Sequence, residues 1–237
     1  LVVGGVDPND LPDPHAALAA LDAAGFVVSL ELRESEVTRR ADVVFPVAAA
    51  VEKAGTFLDW EGRARPFEVA VPDTGGVTDA RALHMLADEL DVSLGTPDVA
   101  TTRREIGRLG RWTGPRAEAP SGGSAAVPQP AAGQAVLATW HLLIDDGRML
   151  DGEPYLAGTA RAPVVRLSPA TAAEIGAAQG ELVRVATDRG AVELPLFVTA
   201  MADRVVWLPT NSPGCHVRRT LGADTGAVVT LGKAGSA

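Results

Sequence analysis

The chain has a single cysteine among 237 residues, Cys215. That excludes a disulfide framework and suits a reducing compartment. It also excludes an iron–sulfur cluster held by this chain alone, because the usual ligand set needs several cysteines. Long apolar runs are missing too. The longest, Val43–Val51, is interrupted by Pro46 and falls far short of a bilayer's thickness. No secretory leader is visible. Cations are the minority, 21 Lys and Arg against 30 Asp and Glu, and a net charge of −9 works against nucleic-acid binding. There is no Gly-x-Gly-x-x-Gly, so no dinucleotide fingerprint, and no Gly-x-Ser-x-Gly nucleophile elbow. His15, His84, His141 and His216 stand apart, and the adjacent Cys215-His216 lacks the spacing of a zinc site. Structural or solvent-facing roles are expected for all four.

What is present is a globular composition, 46% hydrophobic and 22% charged, suited to one or two domains. Residues 1–110 read as the end of an α/β domain. Leu1–Val3, Phe26–Leu30 and Val43–Phe45 are short apolar strands, the second expected to be buried, and His15–Ala24 between the first two has helical spacing. Strand–helix–strand with short links implies a parallel, Rossmann-like sheet, the kind that binds ligands at the carboxyl ends of its strands. A further helix over Asp79–Leu90 is expected to present Leu83, Leu86, Ala87 and Leu90 on one face. Residues 111–134, rich in Pro, Gly, Ser and Ala, lack apolar periodicity and read as a linker. The opening Leu1-Val2-Val3-Gly4-Gly5 starts inside a strand without Met, which leads us to expect a piece of a longer protein.

Residues 135–233 carry the clearest pattern. Val164, Val165 and Leu167 form a strand, and Ser168-Pro169 supplies an N-cap followed by proline at the first helical position. A short helix over Ala172–Gly176 ends before Gly180. Leu182–Ala186 is a strand, Asp188-Arg189-Gly190 a turn, and Val192, Leu194, Leu196 and Val198 alternate at strand period. Further strands are expected near Val136–Trp140, Arg204–Pro209 and Gly226–Leu231. A closed barrel would bury these faces together.

The order Ser168-Pro169, Ala172, Gly176, Gln179-Gly180-Glu181, Val183, Val185, Arg189-Gly190 resembles the carboxy-terminal double-psi β-barrel of the molybdopterin oxidoreductase superfamily. A second match, Ala41-Asp42-Val43-Val44-Phe45-Pro46, Glu52-Lys53-Ala54-Gly55-Thr56-Phe57 and Trp60-Glu61-Gly62-Arg63, resembles a signature of the same superfamily. The implied fold is part of a parallel-sheet domain followed by that barrel. The resemblance also suggests a pterin site that this chain has lost. Where cofactor-carrying relatives have a Thr-Gly-Arg-like loop, Thr139-Trp140-His141 stands, removing the glycine that permits close backbone approach and the arginine partner. Asp7 in Gly5-Val6-Asp7-Pro8 replaces an asparagine, as does Asp59. The candidate remnants are Asp7, Glu52, Thr56, Asp59, Arg63, Thr139, Trp140, His141 and Asn211, with no catalytic and no metal-binding residue named.

Within the superfamily, Gly55–Arg63 and the run Leu208–Gly214 are most similar to the large iron–sulfur subunits of NADH:quinone oxidoreductase (respiratory complex I) in high-GC actinobacteria. That branch keeps the fold without molybdenum. It implies [4Fe–4S] and [2Fe–2S] clusters upstream, a non-catalytic scaffold role here, partners in the peripheral arm, and a place at the cytoplasmic face of the membrane without insertion. Two alternatives stand beside it: the end of an active molybdopterin enzyme of the formate dehydrogenase or nitrate reductase type, and a barrel reused as a non-redox binding module. Among Glu52, Glu61 and Arg63, a pairing of Arg63 with a carboxylate across a turn is preferred over an acid–base pair. Two Asp-Thr-Gly tripeptides, at Asp73 and Asp224, invite an aspartic-protease reading. Pro72, Ala223, Gly76 and Ala227 around them favour ordinary turns.

Overall fold

The computed structural model describes residues 1–119, 122 and 128–235. The middle of the expected linker lies outside the described residues, while its flanks, 111–119 and 128–133, form no helix or strand. The chain divides into two compact units, one of Leu1–Val6 with Ala20–Gly122, the other of Asp7–Ala19 with Gly123–Ala237.

In the first unit, β1 (Val2–Gly4), β2 (Val28–Glu31) and β3 (Val43–Pro46) form a parallel sheet in that order. The helix α1 (Pro14–Asp22) connects β1 to β2 along the chain, as parallel pairing requires. Val27, Leu30 and Val37 are buried, but Phe26 is exposed, and the strand begins two residues later than its apolar run suggests. The amide of Val27 donates to Asp42 Oδ2 at 2.7 Å, which joins the start of β2 to the residue before β3. An antiparallel hairpin follows, β4 (Gly55–Leu58) with β5 (Ala64–Phe67). Gly62, at φ +78°, serves its turn. Gly55 does not serve a turn: a Cβ there would lie 2.6 Å from the Phe67 ring, so this glycine is the seat for that ring.

Helices α2 (Asp79–Glu89) and α3 (Val99–Leu109) begin at Thr78 and Asp98, whose side chains accept from the amides of Arg81 and Thr101. The inward face of α2 differs from the expected one. His84 and Ala87 are buried, whereas Leu83 and Leu90 are exposed. The i, i+3 pair His84/Ala87 turns inward, and of the expected face Ala87 is buried and Leu86 half-buried.

The second unit is a closed six-stranded barrel in the order β10-β6-β13-β8-β9-β7. Its strands are β6 (Gln134–Trp140), β7 (Val165–Leu167), β8 (Leu182–Ala186), β9 (Ala191–Val198), β10 (Val205–Pro209) and β13 (Val228–Lys233). A small ladder, β11 (Asn211–Ser212) with β12 (Cys215–His216), lies between β10 and β13 in sequence. Two parallel pairings, β10 with β6 and β7 with β9, are set among antiparallel ones. The inward residues fill the interior, with Leu137, Val165, Leu167, Val183, Val185, Val206 and Leu208 fully buried. Of the short helices α4 (Pro154–Ala157) and α5 (Pro169–Glu174), the second starts as its sequence indicates: Ser168 Oγ accepts from the Thr171 amide at 3.1 Å. Gly176 (φ +65°) and Gly180 (φ +84°) then lead the chain into β8.

Candidate functional site

The two parallel strands β6 and β10 end side by side, with Thr139 opposite Leu208 and Trp140 opposite Pro209. Both carboxyl ends open on one mouth of the barrel. There Thr139 and Thr210 share a buried hydroxyl–hydroxyl hydrogen bond of 2.8 Å, and the Thr210 amide donates to the Trp140 carbonyl at 3.1 Å. The indole of Trp140 is 75% exposed. His141 Nδ1 donates to Asp145 Oδ2 at 2.7 Å, and the other oxygen of Asp145 accepts from the Gly147 amide. Across the mouth, the Asp146 amide donates to the Asn211 carbonyl at 2.9 Å. His216 Nδ1 donates to Asn211 Oδ1 at 2.8 Å while its Nε2 lies 3.5 Å from Asp146. Residues 141–147 are thus folded down and tied at several points.

The turn Pro8–Asp10, part of the same unit, completes the wall. Asp7 is its N-cap, accepting from the Asn9 amide at 2.9 Å and the Asn9 side chain at 3.0 Å. Arg218 donates to the Asp10 carbonyl and is ion-paired with Asp224 at 2.8 Å. His15 Nε2 donates to the Arg219 carbonyl at 2.9 Å. The cavity enclosed by Asn9, Asp10, His141, Asn211, His216 and Arg218 is about 10 Å³. That is room for no more than one water molecule.

Of the nine candidate positions, the structure gathers Asp7, Thr139, Trp140, His141 and Asn211 in the barrel unit. Glu52, Thr56, Asp59 and Arg63 lie in the other unit, each with a local partner. Glu52 Oε2 accepts from the Ala49 amide at 2.7 Å, and that hydrogen bond, with a second from Thr74, holds its carboxyl below the usual range. Thr56 Oγ1 accepts from Arg103. Asp59 Oδ1 accepts from the amides of Glu61 and Arg63, closing the β4–β5 turn. Arg63 pairs with Glu61 at 2.6 Å, the pairing across a turn that its sequence favoured over acid–base chemistry. The Asp-Thr-Gly tripeptides fall in different units. Asp73 and Gly75 take positive φ, and Asp224 is bound to Arg218, as turn residues rather than a catalytic dyad. Asn9, Arg218 and Arg219 join the mouth without a sequence expectation, and so does His216, for which only a structural or solvent-facing role was expected. The run Cys215-His216-Val217-Arg218-Arg219, which is β12 and the helical turn after it, is the signal that points to the last three.

Two family models match the chain in order: Molybdopterin oxidoreductase over residues 2–81 and Molydopterin dinucleotide binding domain over residues 136–233. The structure of acetylene hydratase from Pelobacter acetylenicus aligns with 98% of this chain and 44% of its own, at TM-score 0.59 and 16% identity, a likeness of fold. Parallel sheet and mixed six-stranded barrel together define a protein of the molybdopterin oxidoreductase class. More specifically, the NADH-quinone oxidoreductase G subunit of Mycobacterium tuberculosis is 57% identical over 98% of this chain, and that of Streptomyces coelicolor 58% identical over 99%. The chain belongs to the family of these G subunits, of which it carries the molybdopterin-oxidoreductase-like region. It spans 28–29% of the length of these relatives. A more distant relative is the alpha subunit of the NADPH-Fe(3+) oxidoreductase of Geobacter sulfurreducens, 27% identical over 97% of the chain and matched over 29% of its own length.

Proposed function

We propose that this chain is a scaffold and assembly portion of the electron-transferring G subunit of a NADH:quinone oxidoreductase, and that its inherited pterin site no longer takes a cofactor. The barrel mouth carries the reading. The Thr139–Thr210, His141–Asp145 and Asn211–His216 hydrogen bonds tie residues across the mouth and leave a crevice of about 10 Å³ there, which supports a site that no longer opens for a large cofactor. A pyrophosphate needs close backbone approach and cationic donors. Here Trp140 stands where relatives of the superfamily place glycine, and Arg218 is already neutralised by Asp224. Asp10, Asp145 and Asp146 offset Arg218 and Arg219 around the mouth, leaving no cationic excess for an anionic ligand.

Iron–sulfur chemistry would come from other parts of the longer protein, since the only cysteine, Cys215, is buried. Among the described residues no group of His, Cys, Asp and Glu could hold a metal ion, and no helix is long and apolar enough to cross a membrane. In this reading the two units make contact with other proteins of the peripheral arm, at the cytoplasmic face of the membrane, as the likeness to G subunits suggests. The test is the molybdenum, tungsten, iron and pterin content of the native complex containing this chain. Iron without molybdenum, tungsten or pterin is the expected result. One pterin per chain would overturn the proposal.

A further inference from the structure

The hairpin β4–β5 and helix α3 enclose an apolar groove of about 560 Å³ in the first unit. Its floor is one face of the hairpin, Thr56, Leu58, Ala64 and Pro66, and its wall is Ile106 with Gly107 on α3. Leu58 is 72% and Ile106 62% exposed, and no described segment lies over them. Because Gly107 has no side chain, the groove stays open along the helix. The geometry is fixed from below. Arg103 donates to the Gly55 carbonyl at 2.7 Å and to Thr56 Oγ1 at 3.2 Å, and pairs with Glu68 at 3.3 Å, fastening α3 to the hairpin.

The charge along this groove is opposite to that of the chain. At 100° per residue, Arg104 and Arg108 project on the flank of α3 next to Gly107, and Arg111 follows just beyond the helix. Arg104 donates to Thr101 within its own helix and interacts electrostatically with the N-cap Asp98, while among the described residues no ion pair holds Arg108 or Arg111, and Glu105 is the one acid within α3. The hairpin's acids are occupied: Asp59 faces Arg65 at 3.6 Å, Glu61 pairs with Arg63, and Glu68 with Arg103. In a chain of net charge −9, the result is an apolar channel with a cationic rim.

We infer that this groove docks an acidic amphipathic helix of a partner protein. A short helix laid along α3 would place apolar residues at i, i+3 and i+7 against Leu58, Pro66 and Ile106, with carboxylates toward Arg104, Arg108 and Arg111. This deepens the assembly reading proposed above and rests on it. The pterin assay interrogates the barrel mouth and this site lies in the other unit, so either can fail alone.

The probe is a fluorescein-labelled helical peptide with leucine at i, i+3, i+4 and i+7 and glutamate elsewhere, titrated by anisotropy against the full 237-residue chain. Its counterpart carries lysine in place of glutamate. The acidic peptide should bind at least roughly tenfold more tightly than the basic one, and this advantage should shrink in high salt. Ile106→Asp, and separately the pair Arg104→Glu and Arg108→Glu, should each weaken it about tenfold. These positions are exposed, and unchanged circular dichroism of the variants would confirm folding. Equal binding of both peptides, no saturation by either, or an affinity unaffected by Ile106→Asp would overturn the inference. So would self-association of the chain through this face, read as an Ile106-dependent dimer in sedimentation.

Discussion

The two units solve the same problem, burying apolar surface with few aromatic residues, to very different degrees. The barrel closes on itself, and every strand contributes fully buried side chains to one core. In the sheet unit, Val2, Val43, Val44 and Phe45 of the parallel sheet remain exposed, as do Phe57, Leu58 and Trp60 of the hairpin. A closed barrel has no free edge and needs no neighbour. A three-stranded parallel sheet is normally covered on both faces. The contrast is between a unit that closes on itself and one whose apolar surface the described residues leave uncovered.

The largest expected effect tests this difference directly. Leu137→Ala, in the centre of the barrel core, should cost about 3 kcal/mol, from lost burial plus the cavity left behind. Leu58→Ala, in the hairpin, should cost less than about 0.5 kcal/mol. Urea unfolding of both variants measures the two values side by side. Comparable costs would mean that the hairpin is as tightly packed as the barrel.

Glycines sharpen the same contrast. A Cβ on Gly190 would lie 2.3 Å from the backbone carbonyl of Thr220, which cannot give way as a flexible side chain could. Gly62 has positive φ but open space around it. Gly190→Ala should therefore destabilise by about 2 kcal/mol, and Gly62→Ala by about 1 kcal/mol. Thermal or urea melts would show whether the order holds.

Acid should reveal which carboxylates fasten the barrel. A hydrogen bond from the Gly133 amide, assisted by Arg204, holds the Glu174 carboxyl below its ordinary 4.5. Lys233 and the Ala178 amide act likewise on Glu181. With a folded-state pKa below the unfolded one, each contributes stability that is fully present above about pH 4.5 and is lost as pH falls through the folded-state value. The Tm of Glu174→Gln should lie below that of the parent at pH 7, and the gap should close as the pH is lowered toward 3. A gap independent of pH would assign the loss to something other than ionisation.

How much of this was legible in the sequence follows the same division. The barrel strands could be read because Val192, Leu194, Leu196 and Val198 alternate cleanly, and the capping residue Ser168 and Gly180 mark where helix and strand begin. The hairpin could not. Thr56-Phe57-Leu58 has apolar residues on both faces, and nothing local in the sequence shows that Gly55 seats the Phe67 ring. Helix α3 was hidden by its polarity: its large apolar residues are only Val99, Ile106 and Leu109, and it has no buried residue. At the barrel mouth, Thr139, Trp140, His141 and Asn211 stand out only through resemblance to a superfamily pattern, not through local periodicity. Arg218 was missed because its partner, the Asp10 carbonyl, lies 208 residues away in sequence. Such a pairing is a product of topology, which local pattern does not encode.

The smallest expected effect is no reaction at all, and it gives the barrel a reporter of its own. Cys215 is the chain's single thiol, it is fully buried, and its Sγ–H points to the Pro209 carbonyl. Burial pushes its pKa up to about 12. At pH 8 the native thiol should therefore resist a disulfide reagent, because the thiolate is the attacking species. Labelling should then follow opening of the barrel core. If Leu137→Ala removes about 3 kcal/mol, labelling should accelerate roughly a hundredfold, one factor of ten for each ~1.4 kcal/mol. Leu58→Ala, in the other unit, should leave the rate unchanged. Rapid labelling of the parent would mean that the barrel opens locally around β12. An equal acceleration in both variants would mean that the hairpin contributes to the barrel's stability and that the two units are not energetically distinct.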